Sequence, residues 1–282
     1  LGSGIIIGLS ATITVWQSGL GLTDGQVGIL SGALTFAIAA GSLLAGNITK
    51  LFGLICSFNL MNLMYLIGAA ICVLSGNFPV LLAGLIITGF ASGADLPISL
   101  TVISHDAPNE KVSASLIAST QVFWQIGVLG SYAMAFIVSH VEGAAGARMV
   151  FALLAVLAGI AFVWRTFSKK FKEFHAAGDE YRAAEGTKTS TEVSFASLFK
   201  GTDGKKYVSF FSCIIIFYVC WNLLANTFGQ FQTYILVKAN ASQSLATGCG
   251  IVLNIVGLIC GILFASAAGS KHRNKFFYVG IV

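Results

Sequence analysis

The placement of lysine and arginine relative to the apolar segments is the feature of this sequence that most restricts its fold. Long apolar segments alternate with shorter stretches that carry charged residues. If the apolar segments cross a bilayer in turn, all of the 16 Lys and Arg residues except Arg148 and Lys238 fall on one side. An excess of basic residues marks the cytoplasmic side of membrane proteins. The sequence therefore predicts a polytopic membrane protein whose basic face is cytoplasmic.

The composition agrees with this prediction. Charged residues make up only 10% of the chain and hydrophobic residues 56%, whereas soluble domains carry about 25% charged residues. A soluble protein of this size would need a polar surface that this chain lacks. The net charge of +5 resides in loops, where it sets orientation, so we expect no nucleic-acid partner.

Segment length gives the number of spans, because about 20 apolar residues cross the hydrocarbon core of a bilayer. We predict eight spans and the start of a ninth near residue 275. The eight lie at 1–20, 26–49, 54–77, 80–104, 112–139, 148–167, 207–237 and 243–268.

The spans fall into two groups separated by a charged segment. Residues 1–167 form the predicted N-terminal transmembrane half, and residues 207–282 form the start of a C-terminal half. Residues 168–206, with helix-favouring residues at 169–185, are predicted to be an amphipathic cytoplasmic linker. The chain begins inside one apolar run and stops at the start of another. We therefore expect it to be part of a longer protein, and its first helix to be partly missing from this sequence.

Two stretches early in the chain carry a more specific pattern. Residues 22–31 (Leu-Thr-Asp-Gly-Gln-Val-Gly-Ile-Leu-Ser) lead towards residues 46–54 (Gly-Asn-Ile-Thr-Lys-Leu-Phe-Gly-Leu). The second stretch resembles the glycine-rich loop between helices two and three of the major facilitator superfamily, whose members are transporters built from two six-helix halves. Gly46 and Gly53 match that loop, whereas Lys50 replaces its usual Asp. The resemblance implies that Gly46, Lys50 and Gly53 form a gating loop.

Later spans resemble the sugar and organic-acid porters of the same superfamily. The fourth span contains Gly-Ala-Asp-Leu-Pro at 93–97 and is followed by Asp-Ala-Pro at 106–108. The fifth contains Gln-Val-Phe-Trp-Gln-Ile-Gly at 121–127, and the seventh is rich in Asn and Gln at 221–234. The resemblance implies an all-α membrane bundle with a complete or near-complete first six-helix half and part of the second.

Amide and aromatic side chains in the fifth and seventh spans form the predicted substrate site. Uncharged amides can hydrogen-bond to sugar hydroxyls without burying a charge, and aromatic rings pack on the apolar faces of a sugar. Residues four apart share one helix face, as the amides of the seventh span do. The predicted substrate-binding residues are Gln121, Trp124, Gln125, Asn222, Asn226 and Gln230. The alternative is that these amides hold membrane helices together by hydrogen bonds.

Asp95 is the acidic residue that lies well inside a predicted span. An ionisable group at membrane depth is costly unless it has a partner or water, so such groups are commonly functional. Asp95 is therefore our candidate for proton coupling. The alternative is a structural role beside Pro97, which lacks an amide hydrogen and so frees a carbonyl of the preceding turn.

Other residue types indicate no catalytic chemistry. The four His residues are scattered without metal-ligand spacing, and the six Cys residues fall in apolar spans, where Cys behaves as a small hydrophobic residue. We therefore expect no enzyme activity, no cofactor and no metal. The histidines are His105, His140, His175 and His272, and we expect His105 to lie in a solvated loop.

The predicted function is secondary active transport by alternating access. We expect a monomer in the plasma or inner membrane that moves a small polar solute, such as a sugar, polyol or related metabolite, with protons as the candidate coupling ion. Neutral solutes are favoured over anions because no basic residue lies mid-span. The alternatives are a drug or metabolite exporter of the same superfamily, whose cavity would be more apolar, and a polytopic membrane protein that does not transport.

Overall fold

The computed structural model describes residues 1–107, 110–141, 143–184 and 204–268. Within these ranges the chain is almost entirely α-helical, and a short 3₁₀ turn follows the fifth helix. The helices are α1 (Gly2–Leu20), α2 (Asp24–Phe52), α3 (Leu54–Leu74), α4 (Phe78–Asp106), α5 (Glu110–Ile137), α6 (Ala145–Phe167), α7 (Lys169–Ala184), α8 (Gly204–Lys238) and α9 (Gln243–Ala268).

Eight of these helices, all except α7, are long and apolar enough to cross a membrane. Their ends agree with the predicted spans to within about three residues, the accuracy to which helix boundaries are defined. The predicted helical stretch of the linker corresponds to α7. The expected ninth span near residue 275 lies outside the described residues.

Local sequence signals explain where the first helices begin and end. Gly21 ends α1 with φ 64°, a left-handed conformation that glycine adopts without strain. Thr23 and Gln26 form a reciprocal capping box that starts α2, with distances of 3.2 and 2.9 Å. The Asn77 side chain accepts a hydrogen bond from the Val80 amide and starts α4. The resulting short turns make consecutive helices antiparallel.

Helix α4 packs between α2 and α3, and small residues permit the close approach to α2. A Cβ atom on Gly93 would overlap the Ile38 carbonyl. Pro97 cannot donate to the Gly93 carbonyl one turn earlier, and Ser42 Oγ of α2 donates to that carbonyl instead, at 2.8 Å. The carbonyl freed by Pro97 is therefore satisfied by α2 and does not require Asp95.

Helix α1 lies at the centre of the bundle and contacts α2, α4, α5, α6 and α8. Its Trp16 side chain is fully buried and meets the Phe151 ring edge-to-face, with 5.8 Å between ring centroids. Large apolar side chains such as Phe36 and Ile160 instead point outward and are exposed, as expected of a lipid-facing surface. The fold is thus the all-α membrane bundle predicted from the sequence.

Candidate transport site

Gln230 of α8 lies where the two groups of helices meet. Its side-chain amide donates a hydrogen bond to Thr35 Oγ1 of α2 at 3.1 Å. Ser10 Oγ of α1 lies 2.7 Å from the Gln230 carbonyl and 3.0 Å from the Gly229 carbonyl. A small recess beside these groups is lined by Ser31, Ser10 and Gln230 together with aliphatic side chains. Polar groups of α1, α2 and α8 therefore converge at one point, where Ser10 is buried and Thr35 is exposed.

Contacts between the helix groups continue towards the side opposite the basic loops, which we call the outer side. Thr14 Oγ1 donates to Gln243 Oε1 at 2.6 Å, and Gln243 Nε2 donates to the Ala11 carbonyl at 2.8 Å. Ser139 and Ser244 hydroxyls lie 2.9 Å apart. These bonds join α1 and the 3₁₀ turn after α5 to the start of α9 at the outer end of the bundle.

The two basic residues assigned to the outer side both have partners there. Lys238 Nζ lies 3.1 Å from Asp24 Oδ1, which also accepts a 2.6 Å hydrogen bond from Gln17. Both members of this ion pair are exposed, so its contribution to stability is small. Arg148 Nη2 donates to the Ser75 carbonyl at the end of α3, at 2.6 Å.

Helix α8 separates from the first half on the way to its cytoplasmic end. From residue 208 to 228, none of the α8 side chains that the structure describes is buried. On α5, Phe123 is 69% and Trp124 38% exposed. The described contacts between α8 and the first helices therefore lie in the outer part of α8, from Gly229 onward.

The structure separates the predicted amides of α8 into two environments. Gln230 reaches the first half, as described above. Asn226 donates instead to the Asn222 side chain, and Asn222 donates to the Tyr218 carbonyl at 2.7 Å. These last two bonds stay within α8, where Asn226 is exposed and Asn222 is partly buried.

Of the predicted residues of α5, Trp124 and Gln125 are described by the structure. The Trp124 carbonyl accepts a hydrogen bond from Ser3 Oγ at 2.9 Å, and Gln125 is partly buried. In the part of the chain that the structure describes, neither side chain hydrogen-bonds to an α8 amide. The side chain of Gln121 lies outside the described part of the structure.

Sequence reasoning missed the hydroxyl groups that meet α8 and α9. Ser10 and Thr14 are four residues apart in an otherwise apolar helix, so they share one face. That spacing could have been noticed in the sequence. Thr35 and Gln243 have no comparable signal, because only the packing of α2 and α9 shows what they contact.

Asp95 forms an ion pair inside the first half. Arg165 Nη1, from the last turn of α6, lies 2.8 Å from Asp95 Oδ1. The two side chains are 16% and 21% exposed, respectively. Ser99 also donates to Asp95 Oδ1, at 3.3 Å. Asp95 thus has a cationic partner that its position in the sequence did not indicate.

Aromatic and amide groups of α3 hold the Arg165 guanidinium. It lies 3.7 Å from the centroid of the Phe58 ring and donates to the Phe58 carbonyl at 3.2 Å. With its side-chain oxygen turned towards Arg165, Asn62 accepts from Nε and Nη1 at 3.0 and 2.8 Å. Phe58 in turn stacks on Phe171 of α7, with centroids 5.4 Å apart.

The predicted gating loop is a single-residue connection between α2 and α3. Gly53 has φ 79°, which favours glycine, and its amide donates to the Thr49 carbonyl at 2.9 Å. Lys50 lies in the last turn of α2, and Gly46 lies one turn earlier on an exposed surface. The loop is therefore a sharp turn whose basic residue lies at the negative end of the α2 dipole.

Comparison with known proteins places this architecture in a family. The model of the Major Facilitator Superfamily matches residues 1–282. The chain belongs to the major facilitator superfamily. Together with the eight membrane-length helices of the described ranges, this makes it a multi-pass integral membrane protein of a transporter family.

Two relatives illustrate the similarity in sequence. The chain is 30% identical to the minor myo-inositol transporter IolF of Bacillus subtilis (strain 168) over 283 residues, which is 98% of the chain and 62% of that protein. It is 26% identical to the D-xylose-proton symporter-like 2 of Arabidopsis thaliana over 153 residues, which is 53% of the chain and 30% of the relative. The chain thus spans less than two thirds of the length of these relatives.

Solved structures show the same fold. A partially occluded inward-open conformation of the xylose transporter XylE from E. coli superimposes with a TM-score of 0.69 at 14% identity, covering 96% of this chain and 71% of that one. A crystal structure of the D-xylose-proton symporter gives a TM-score of 0.66 at 15% identity, with coverage of 95% and 67%.

Proposed function

We propose that the chain is part of a secondary active transporter that moves a sugar, polyol or related neutral solute by alternating access. The observation that carries this proposal is the junction at which Gln230 of α8 meets Ser10 and Thr35 of the first half. Relatives that are named as transporters of myo-inositol and xylose support the solute class.

The chemistry of this junction suits a polyhydroxylated solute. Its side chains are amides and hydroxyls, which donate and accept hydrogen bonds without carrying charge. A solute hydroxyl can replace either partner of the Gln230–Thr35 hydrogen bond without a change in charge. We propose that Trp124, Asn222 and Asn226, which the structure shows exposed or partly buried, extend the site along the path of the solute. We propose the same for Gln121 and Gln125 of α5.

Alternating access requires that the outer contacts break when the cytoplasmic end closes. The bonds at Gln243, Ser244 and Lys238 all join helices from different groups, so they form the outer closure. Each is a hydrogen bond or an exposed ion pair of modest strength. Their replacement by water on outward opening therefore has a small net cost.

Proteoliposomes containing the full-length transporter test the proposal. Uptake of radiolabelled myo-inositol and D-xylose is measured with and without an inward proton gradient. Saturable uptake of one of these solutes is the expected result. Loss of one solute-binding group costs about 1–3 kcal/mol, so Gln230→Ala should raise KM roughly 5- to 150-fold.

Asn254→Ala is the matched control, because the Asn254 amide bonds to the Gly250 carbonyl of its own helix at 2.8 Å. This variant should keep the KM of the unmodified transporter. Absence of saturable uptake of sugars and polyols by well-folded protein would contradict the proposed solute class. An unchanged KM in Gln230→Ala would remove Gln230 from the solute site and leave it as a contact between helices.

A further inference from the structure

Two histidines and two aspartates meet where the linker helix α7 contacts the cytoplasmic end of α4. Nδ1 of His105 and Nδ1 of His175 lie 2.8 and 2.7 Å from the same oxygen, Oδ1 of Asp106. On the opposite side of the rings, Nε2 of His105 lies 3.4 Å and Nε2 of His175 3.9 Å from the carboxylate of Asp179. Spacing along the chain hides this cluster, because 69 residues separate Asp106 from His175.

The cluster is partly shielded from solvent and held by backbone packing. The side chains of His105, His175 and Asp106 are 24%, 22% and 12% exposed, so His105 is not in the solvated loop expected from the sequence. A Cβ atom on Gly178 would lie only 3.0 Å from the Asp106 Cα atom. The glycine therefore lets α7 sit directly against the last turn of α4, which brings His175 to Asp106.

The donor set is that of a transition-metal site. One ligand atom each of His105, Asp106 and His175 lies within 4.8 Å of the others. Zinc binds His nitrogen at about 2.0–2.1 Å and carboxylate oxygen at about 2.0–2.2 Å, which places tetrahedral ligands roughly 3.3 Å apart. The Asp106–His distances would widen by about half an ångström on binding, which small side-chain rotations can supply.

Asp179 completes the arrangement from the other side. A metal-bound imidazole usually donates its second ring N–H to a carboxylate or carbonyl, which fixes the tautomer and the orientation of the ring. The Asp179 carboxylate is near Nε2 of both histidines. If each His binds through Nδ1, Asp179 can accept from Nε2 of His105 at 3.4 Å, whereas Nε2 of His175 at 3.9 Å would need a small side-chain rotation.

We propose that His105, Asp106 and His175 bind a divalent transition-metal ion of the zinc type, with water in the remaining position. Two imidazoles favour such ions over magnesium and calcium, which prefer oxygen ligands. His175 comes from α7, whereas His105 and Asp106 come from α4. The bound ion therefore fixes the linker helix to the first half. This site does not depend on the proposed transport function, and its test does not use transport.

Calorimetric titration of the purified full-length protein with zinc chloride tests the site. The protein carries an affinity tag without histidine and is measured at neutral pH. We expect one saturable site, weakened at least about 100-fold in His105→Gln and in His175→Gln. Loss of a carboxylate that orients a metal-bound histidine typically lowers metal affinity about 10- to 100-fold. We expect a decrease in zinc affinity within this range for Asp179→Asn. Lower pH should weaken binding, because protons compete with the metal for imidazole.

His140→Gln is the control, because His140 is exposed at the outer end of the bundle; it should bind zinc as the unmodified protein does. No saturable binding to the unmodified protein, or equal affinity in the His105 and His175 variants, would overturn the proposal. If these variants fold poorly, the unmodified protein is titrated with cobalt in place of zinc and its visible absorption spectrum is recorded. Intense visible bands of four- or five-coordinate cobalt support the site, and the weak spectrum of hydrated cobalt rejects it.

Discussion

Replacing Asp95 by Asn should destabilise the first half, because it removes one member of a shielded ion pair. In Asp95→Asn the Arg165 guanidinium keeps its cationic charge but loses the carboxylate 2.8 Å away. Breaking a fully buried pair by removing one partner costs about 3–5 kcal/mol. Here each side chain is about a fifth exposed, and Arg165 keeps the carbonyl and the ring of Phe58. We therefore expect a loss of about 1–3 kcal/mol.

A double-mutant cycle separates the pair from the individual side chains. Arg165→Met removes the cation and leaves Asp95 with the Ser99 hydroxyl. We expect Asp95→Asn combined with Arg165→Met to be less destabilised than the sum of the single variants. Contacting residues commonly show coupling energies of about 0.5–3 kcal/mol. Thermal unfolding of the purified full-length transporter measures the change in stability of the two single variants and of the double variant.

Transport assays distinguish this structural role from proton coupling. If the ion pair only holds α4 to α6, accumulation against a gradient and downhill exchange fall together in Asp95→Asn, and both recover in the double variant. The reasoning is refuted if Asp95→Asn unfolds at the same temperature as the unmodified protein and loses only accumulation. That result would assign Asp95 to the coupling proton, since an amide keeps the shape of the carboxyl but cannot titrate.

Two further predictions concern packing and the outer closure. In a background without native cysteines, Ser139→Cys combined with Ser244→Cys should form a disulfide under oxidation, because the two hydroxyls lie 2.9 Å apart. Transport should then stop and return when a reductant is added. Either cysteine alone should have no such effect. Continued transport by the fully oxidised pair would show that this contact does not open. Gly93→Ala should lower the melting temperature of the purified protein, because the added methyl overlaps the Ile38 carbonyl and overpacking typically costs about 1–3 kcal/mol. Gly28→Ala is the control and should leave the melting temperature unchanged, because nothing lies within 4 Å of the added atom. Equal melting temperatures would contradict the close packing of α4 on α2.

The spans could be predicted because bilayer thickness and loop charge act on the sequence directly. A helix must be long enough and apolar enough to cross, and each such run is visible without knowing its neighbours. The helical linker α7 could also be predicted from its helix-favouring residues. These features depend on residues close together in the chain, so their prediction needs no knowledge of tertiary packing.

Partners between distant segments could not be predicted in this way. Arg165 is close to the cytoplasmic end of its span, so no pattern in the sequence pairs it with Asp95, 70 residues earlier. The freed carbonyl beside Pro97 was foreseen, but its donor is Ser42 of α2. Among the predicted substrate residues, Gln230 meets Thr35 and the Trp124 carbonyl meets Ser3 through such long-range packing. The role of all six residues in substrate binding stays a prediction.

The cytoplasmic layer of the first half connects the ion pair to the linker helix through one aromatic ring. Phe58 contacts the Arg165 guanidinium and also stacks on Phe171 of α7. A shift of α7 therefore changes the surroundings of Arg165, and a change in the Arg165–Asp95 pair changes the surface on which α7 rests.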